Sequence, residues 1–277
     1  MNQPVNEELL ILTKTYPSPS SKYRETTCVA AINRQGEMRR LFPVPFRLLE
    51  GGAKFKKWEW IRARVSRTTG DQRPESRRID ADSISRSEKI IEITRSGDWS
   101  ERLVWIEPQV VPGFGALEAR RQSTGQTLGF IRPSRILELK ITAVKDADWT
   151  EADRQKLTQD GLFDAPEVKA RPPLRKLPFD FHYRYECASP NGIEEHTHKL
   201  TDWEAGALYW KCFCDHGPKG WEAKFRQRFE TEFATKDLLF LLGTIHRFPD
   251  QWLIVGIVYP PKRLPAHAAQ LGLGLVP

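Results

Sequence analysis

The segment at residues 53–65 has the most constraining pattern in the 277-residue sequence, because cations and aromatic rings alternate with mostly apolar side chains. Successive side chains of a β-strand point to opposite faces. The pattern therefore predicts a strand with one exposed basic and aromatic face and one mainly apolar face. The exposed face would carry Lys54, Lys56, Trp58, Trp60, Arg62 and Arg64.

A surface that joins cations to flat rings suits a nucleic-acid strand, because cations meet phosphates and rings stack on bases. Single strands are favoured over duplexes, since only unpaired bases are free to stack. Further arginines precede and follow the patterned segment. The predicted nucleic-acid-binding residues are Arg39, Arg40, Lys54, Lys56, Trp58, Trp60, Arg62, Arg64, Arg67, Arg73, Arg77 and Arg78.

Two other interpretations of the same segment stay open. The first is an edge strand that its cations protect from aggregation, with both indole rings packed on a neighbouring element. The second is an adaptor surface that binds an acidic protein partner. Both retain the predicted strand, and only the partner of its basic face differs.

The positive charge is concentrated in the first half of the chain. Residues 1–145 hold 26 Lys and Arg against 17 Asp and Glu, a net charge of +9, whereas residues 146–277 have a net charge of −2. Residues 34–78 alone hold 13 cations and 5 acids. Such asymmetry indicates an anionic partner.

Several classes of protein are disfavoured by the sequence. It contains no run of about eighteen apolar residues that would span a membrane, so we expect no membrane partner. The first ten residues carry two acids and no cation, which is not typical of a signal peptide. Four cysteines in a chain of this length do not indicate a disulfide framework, so we expect a cytoplasmic location with reduced thiols.

The order of predicted elements indicates an α+β fold. We expect a β-rich, barrel-like, basic N-terminal domain at residues 1–145 and a smaller α+β domain at residues 179–262. A helix and a proline-rich linker would occupy residues 146–178, and a loosely ordered tail residues 263–277. Trp221, Phe225, Phe229 and Phe233 recur every four residues and predict a helix with a core-facing stripe.

A short motif gives the alternative that the chain is an enzyme. Glu138 and Lys140 lie two apart in an apolar segment and would share one strand face. This E-x-K resembles the last part of the PD-(D/E)xK nuclease signature. The resemblance implies a metal-dependent phosphodiesterase in which the Glu binds Mg²⁺ or Mn²⁺ and the Lys helps activate water. The alternative is a half-exposed strand whose Glu and Lys face water, and it explains both residues equally well.

The C-terminal half contains two further groups of candidate residues. Asp202 and Glu204 are either carboxylates favoured by a helix N-terminus or catalytic acids of the same phosphodiesterase. A second group of side chains has the chemistry of a Zn²⁺ site but lacks a C-x-x-C pair, and buried free cysteines are its structural alternative. Its members are Cys187, His196, His198, Cys212, Cys214 and His216.

Overall fold

The computed structural model describes residues 3–68, 70–95, 97–159 and 171–262. Strands make up 42% and helices 29% of the described residues, and one sheet contains a closed five-stranded barrel. This confirms the predicted α+β class with a barrel-like part. The linker prediction lies partly outside the described residues, and the predicted tail lies outside them from residue 263 onwards.

The first sheet forms the barrel. Strands β1, β3 and β4 pair as neighbours, β5 returns to pair with the free side of β1, and β6 closes the ring between β5 and β4. The order β5-β1-β3-β4 is that of a Greek key. The strands are β1 Val5–Lys14, β2 Ser18–Ser20, β3 Arg24–Asn33, β4 Met38–Val44, β5 Glu59–Ser66, β6 Ser76–Ile79 and β7 Ser85–Ile90.

The second sheet has the order β10-β11-β12-β14-β13-β9-β8. Its first strands lie within residues 110–143, so the chain changes sheet between β7 and β8 and not at residue 145. The strands are β8 Val110–Val111, β9 Leu128–Ile131, β10 Arg135–Ala143, β11 Phe179–Ser189, β12 Gly192–Leu200, β13 Leu239–Ile245 and β14 Phe248–Val258.

Four α-helices accompany the sheets in the described ranges. The helix α4, Trp203–Arg226, is kinked at Gly217, which has a φ of 69° and is followed by Pro218. The helix continues into a π-helical turn, Gln227–Glu232. A proline inside a helix removes a backbone hydrogen bond, which accounts for the break. The helices are α1 Ser100–Ile106, α2 Phe114–Thr124, α3 Glu151–Thr158 and α4 Trp203–Arg226. None of the helices in the described part is long and apolar enough to cross a membrane.

The predicted aromatic stripe of α4 and the following turn packs in the core. Trp221, Phe225, Phe229 and Phe233 are all buried, and the Phe225 ring stacks on Phe181 of β11 with 4.5 Å between centroids. The stripe covers one face of the second sheet. The structural interpretation of the four-residue spacing is thereby confirmed.

The barrel and the second sheet share a hydrophobic core. Ile61, Ala63 and Val65 of β5 point into the barrel, where they pack with apolar residues of β1, β3 and β4. Outward-facing Leu10 and Leu12 of β1 pack instead with residues of β9, β13 and β14. Burying the outer face of β1 and β3 in this way joins the two sheets into one packed unit.

Candidate nucleic-acid interface

The predicted basic and aromatic strand face does not form, and this expectation is wrong. The strand β5 begins only at Glu59, and Trp58 before it has a φ of 65°, which breaks the alternation. Trp58 and Trp60 are 3% and 5% exposed. Burial of an indole removes a large apolar surface from water. The free energy gained in this way explains why both indoles are buried, although the alternation along the sequence predicts them at the surface.

Specific neighbours cover both indole rings. Trp58 packs edge-on against Trp99, and Trp60 packs against Trp105 of α1 with 5.0 Å between centroids. The guanidinium carbon of Arg34 lies 3.6 Å from the centroid of the Trp60 ring. Neither indole can stack on a base without displacing these partners.

The remaining cations of the predicted face lie at the surface, and its two arginines are neutralised by carboxylates. Arg62 forms an ion pair with Glu8 at 3.0 Å, and Arg64 forms one with Asp80. Lys56 is exposed and Lys54 partly so. Partial burial lowers the pKa of the Lys54 ammonium. A strand bound along β5 would have to compete with the carboxylates.

Two predicted cations, Arg39 and Arg40, are buried. Arg39 donates to Glu7 at 2.8 Å, and Arg40 donates to the carbonyl oxygen of Thr127 at 3.1 Å. Charged side chains that are buried are usually paired in this way, since desolvation is costly. Arg39 therefore has a structural role, whereas Arg40 also borders a cleft.

This cleft, of about 680 Å³, lies between the barrel and the second sheet. Its barrel side is formed by β3, β4, the segment between β1 and β3, and the segment between β5 and β6. Its other side is formed by β13, β14 and the turn between them. Representative bordering residues from the two sides are Tyr16, Cys28, Phe42, Arg73, His246 and Leu253.

Four cations besides Arg40 border the cleft: Lys22, Arg73, Arg77 and Arg78. Arg73 is held by Asp71 at 2.6 Å and donates to the Thr244 carbonyl at 2.9 Å. Arg77 donates to two backbone carbonyls. Lys22 and Arg78 are exposed, and neither forms an ion pair within the described ranges. These last two are therefore available to an external anion.

Aromatic rings accompany the cations along the cleft. Phe42 is 49% exposed, although it is a large apolar side chain. Tyr23 is half-buried, with the Lys22 ammonium 5.2 Å from its ring centroid. Tyr16 is fixed by two hydrogen bonds, from its hydroxyl to the Arg175 carbonyl and from the Trp210 indole to its hydroxyl. The cleft thus brings together rings and cations. Four of its cations, Arg40, Arg73, Arg77 and Arg78, are among the predicted residues, whereas its rings are not the predicted indoles.

A second depression, of about 840 Å³, continues the cleft along the barrel. Lys22, Tyr23, Pro43 and Arg78 border both depressions. The two together form a groove, and the available cations lie at its middle. A groove formed by two joined depressions of this size suits a chain-like ligand better than a single small molecule.

The acid inside the cleft is tied to a cation. Burial alone would raise the pKa of the Asp71 carboxyl, but hydrogen bonds from Arg73 outweigh it and hold the pKa well below its usual range. Asp71 also faces His246 of the β13–β14 turn at 3.4 Å. The Asp71–Arg73 pair joins the barrel to the second sheet across the top of the cleft.

The proposed nuclease residues Glu138 and Lys140 are exposed on β10, a strand at the end of the second sheet. Glu138 pairs with Arg184 of the neighbouring strand at 3.4 Å. Across the described ranges, no three His, Cys, Asp or Glu side chains lie close enough together to hold a metal ion. The geometry therefore gives no support to Mg²⁺ or Mn²⁺ binding by this motif.

The same finding applies to the Cys/His group. His196 and His198 of β12 pack on the Phe114 ring, at 4.7 and 4.8 Å between centroids. Burial lowers the pKa of His198 to about 4 and raises the pKa of the Cys187 thiol to about 11. Cys212 is buried on α4, and Cys214 and His216 are exposed on it. The structure does not assemble these residues into a zinc site within its described part.

Asp202 and Glu204 belong to a structural joint. Asp202 caps α4 by accepting from the Glu204 amide at 2.8 Å, and it also accepts from the Ile257 amide of β14 at 3.1 Å. Burial raises the pKa of Asp202 to about 6. Glu204 pairs with Lys57 at 3.2 Å. These bonds connect α4 to β14 and to the barrel.

Sequence reasoning missed Phe42, Tyr23 and Lys22 as site residues. A usable signal exists for Phe42, because alternation along β4 places it on the same outward side as Arg40. No comparable signal links the barrel to β14, since Cys28 and Leu253 are far apart in the sequence and meet only through the packing of the two sheets.

Comparisons with known proteins identify a family for this chain but no curated relative. No curated protein matches the sequence. One solved structure, a replication protein A heterotrimer bound to single-stranded DNA, aligns with 98% of this chain and 68% of its own chain. Its sequence identity is 9% and its TM-score 0.23, so the likeness carries no argument.

Two family models divide the chain near its change of sheet. The model described as "Domain of unknown function (DUF8758)" matches residues 5–108, which contain the barrel. The model described as "Domain of unknown function (DUF8757)" matches residues 113–273, more than half of the chain. The chain therefore belongs to the family of the domain of unknown function DUF8757.

Proposed function

We propose that this protein binds nucleic acid, with single strands favoured, along the groove between the barrel and the second sheet. The observation that carries the proposal is the meeting, in one groove, of two cations that form no ion pair in the described ranges with an exposed ring, Phe42, and a half-buried ring, Tyr23. Lys22 and Arg78 are exposed there beside Phe42 and Tyr23. Phosphates need cations and unpaired bases need rings, and a groove between two sheets presents both to one strand.

The architecture of the barrel supports the same ligand class. In five-stranded Greek-key barrels of the OB type, the second and third barrel strands and two flanking loops bind oligonucleotides or oligosaccharides. The corresponding elements here are β3, β4 and the segments that follow β1 and β5, and these border the cleft. Function depends on the site more than on the fold, and the cations favour a phosphate-bearing polymer over a neutral sugar.

A ring that stacks on bases distinguishes single strands from duplexes, and this gives the test. Binding of a fluorescein-labelled twelve-nucleotide single strand and of the matching duplex is measured by fluorescence anisotropy. The Phe42→Ala variant should weaken single-strand binding by about 1–3 kcal/mol for one lost stack and change duplex binding little. Equal losses on both ligands would contradict stacking.

A matched control separates the groove from general surface effects. Val104 of α1 is 70% exposed and does not border the cleft. The Val104→Ala variant removes a similarly exposed apolar side chain and should bind both ligands as the unmodified protein does. An acidic protein partner would give a different pattern, because single strands would then bind weakly and Phe42→Ala would not affect them.

A further inference from the structure

Three residues that border the cleft, Arg40, Ser76 and Thr244, each have a buried polar atom without a hydrogen-bond partner in the described part of the chain, and two of these atoms come from different sheets. These two are Arg40 Nε on the barrel side and Thr244 Oγ1 on β13. Both residues border the cleft, and they are 5% and 4% exposed. Because buried polar groups are nearly always hydrogen-bonded, unpartnered ones beside a cleft indicate a missing polar partner.

The guanidinium of Arg40 is held in one orientation from behind. Its Nη2 donates to the carbonyl and hydroxyl oxygens of Thr127 at 3.1 and 3.2 Å, and Glu75 lies 3.6 Å from the same nitrogen. Glu75 in turn accepts from the Thr127 amide at 3.1 Å. A fixed donor of this kind loses little side-chain entropy when a ligand arrives.

A glycine provides the space for this arrangement. A Cβ atom added at Gly243 of β13 would lie 3.1 Å from Arg40 Nη2. The absent side chain lets the guanidinium of a barrel residue approach the backbone of the second sheet, next to Thr244. The two unpartnered groups thereby come from different sheets that meet at the cleft.

The surrounding walls suit a flat apolar ring system. Leu253 and Val255 of β14 line one side, and Phe42 and Pro43 of β4 line the other. A nucleobase buries its faces against such walls while its edge requires polar partners.

We propose that the cleft holds one unpaired guanine and recognises its acceptor edge through Arg40, with Thr244 as the second polar contact. This inference rests on the proposed function. Guanine presents two neighbouring acceptors, O6 and N7, and arginine is their commonest protein partner. Adenine places an amino donor beside its N7 acceptor, and this donor would face the guanidinium unfavourably.

The test uses oligo(dT) twelve-mers that carry a single central G, A, C or abasic site, with binding measured by fluorescence anisotropy. The strand with guanine should bind at least about fivefold more tightly than the strands with adenine, cytosine or thymine, since a good base contact contributes about 1–3 kcal/mol. The abasic strand should bind no better than these.

Two variants locate the contact. Thr244→Val removes an unpartnered hydroxyl at nearly constant shape, so the fold should survive and the preference for guanine should shrink. Arg40→Lys keeps the charge but loses the planar donor, and should abolish the preference. Thr142→Val, on the exposed face of β10, is the matched control and should keep the preference. If Arg40→Lys lowers the melting temperature markedly, the guanine preference of the Thr244→Val variant alone tests the contact.

The possible failures are distinguishable. Equal binding of all four bases would overturn the guanine site and leave the proposed single-strand binding intact. A guanine preference that survives in both Thr244→Val and Arg40→Lys would also overturn it, because the recognition would then lie elsewhere. Absence of binding to every strand would overturn the proposed function and this inference with it.

Discussion

Arg40 of the barrel strand β4 donates a hydrogen bond to the carbonyl oxygen of Thr127, which immediately precedes β9 of the second sheet, over 3.1 Å. The bond joins the two sheets beneath the cleft. The same guanidinium lies 3.6 Å from the buried carboxylate of Glu75. The same side chain therefore borders the cleft and contributes to the joint between the sheets.

Removing the cation from this buried pair should destabilise the protein strongly. In Arg40→Met, the Glu75 carboxylate stays buried without its charged partner, so the free energy of unfolding should fall by about 3–5 kcal/mol. Urea unfolding followed by tryptophan fluorescence measures this loss. The Arg40→Met/Glu75→Met double variant should lose less than the sum of the two single changes, and additive losses would show that the pair does not interact.

Salt dependence should report the two available cations. Each phosphate contact contributes about −0.7 to the slope of the logarithm of the association constant against the logarithm of salt concentration on single strands. The Lys22→Ala/Arg78→Ala variant should therefore reduce the magnitude of the slope by about 1.4. The charge-matched control is Arg62→Ala/Arg64→Ala, whose arginines are already paired with carboxylates. A larger change in this control would place the phosphates on β5.

The helix α4 supports the cleft through a close contact. A Cβ atom added at Gly206 would lie 2.2 Å from Cδ2 of the Tyr16 ring, which borders the cleft. Gly206→Ala should displace this ring and reduce the free energy of unfolding by about 1–3 kcal/mol. Gly115→Ala in α2, where no heavy atom lies within 4 Å, should stabilise the helix by up to about 1 kcal/mol. Thermal melting compares the two variants, and equal effects would contradict the contact.

The stability of the second sheet should depend on pH through His198. Burial lowers the pKa of His198 to about 4, and repulsion from the nearby His196 contributes a smaller part of the shift. The neutral form of His198 is therefore favoured in the folded state. The stability that neutral His198 contributes to the fold is present above pH 6.5 and is lost as the pH falls toward 4, because the unfolded state binds the proton first. His198→Gln should show a smaller loss of stability between pH 7.5 and 4.5 in urea unfolding. An unchanged loss would assign the dependence to other groups.

Local patterns predicted several elements correctly. The apolar segment around Glu138 and Lys140 forms the strand β10, and the helix predicted within residues 146–178 corresponds to α3. The four-residue spacing from Trp221 onwards predicted a buried stripe, because helix geometry alone places those side chains on one face. These predictions succeed since each depends only on neighbours in the chain.

The site could not be predicted in the same way. Alternation in residues 53–65 correctly puts Ile61 and Val65 inside the barrel, but it does not reveal that α1 and Arg34 cover Trp60 on the outside. The cleft requires β13 and β14 of the second sheet to lie beside the barrel, which follows from the packing of elements that are distant in sequence. The sequence therefore predicted four of the cleft-bordering arginines, Arg40, Arg73, Arg77 and Arg78, but not the rings beside them.

Cross-linking would test the central claim most directly. Ultraviolet irradiation of the protein with a uniformly labelled oligo(dT) strand, followed by mass spectrometry of the peptides, locates the residues in contact with bases. Binding in the groove predicts adducts on Phe42 or Tyr23 in the unmodified protein. In the Lys22→Ala/Arg78→Ala variant, the Phe42 adduct should be lost and the protein should be labelled more weakly. Adducts confined to the segment at residues 54–64, or the absence of any adduct, would contradict binding in the groove.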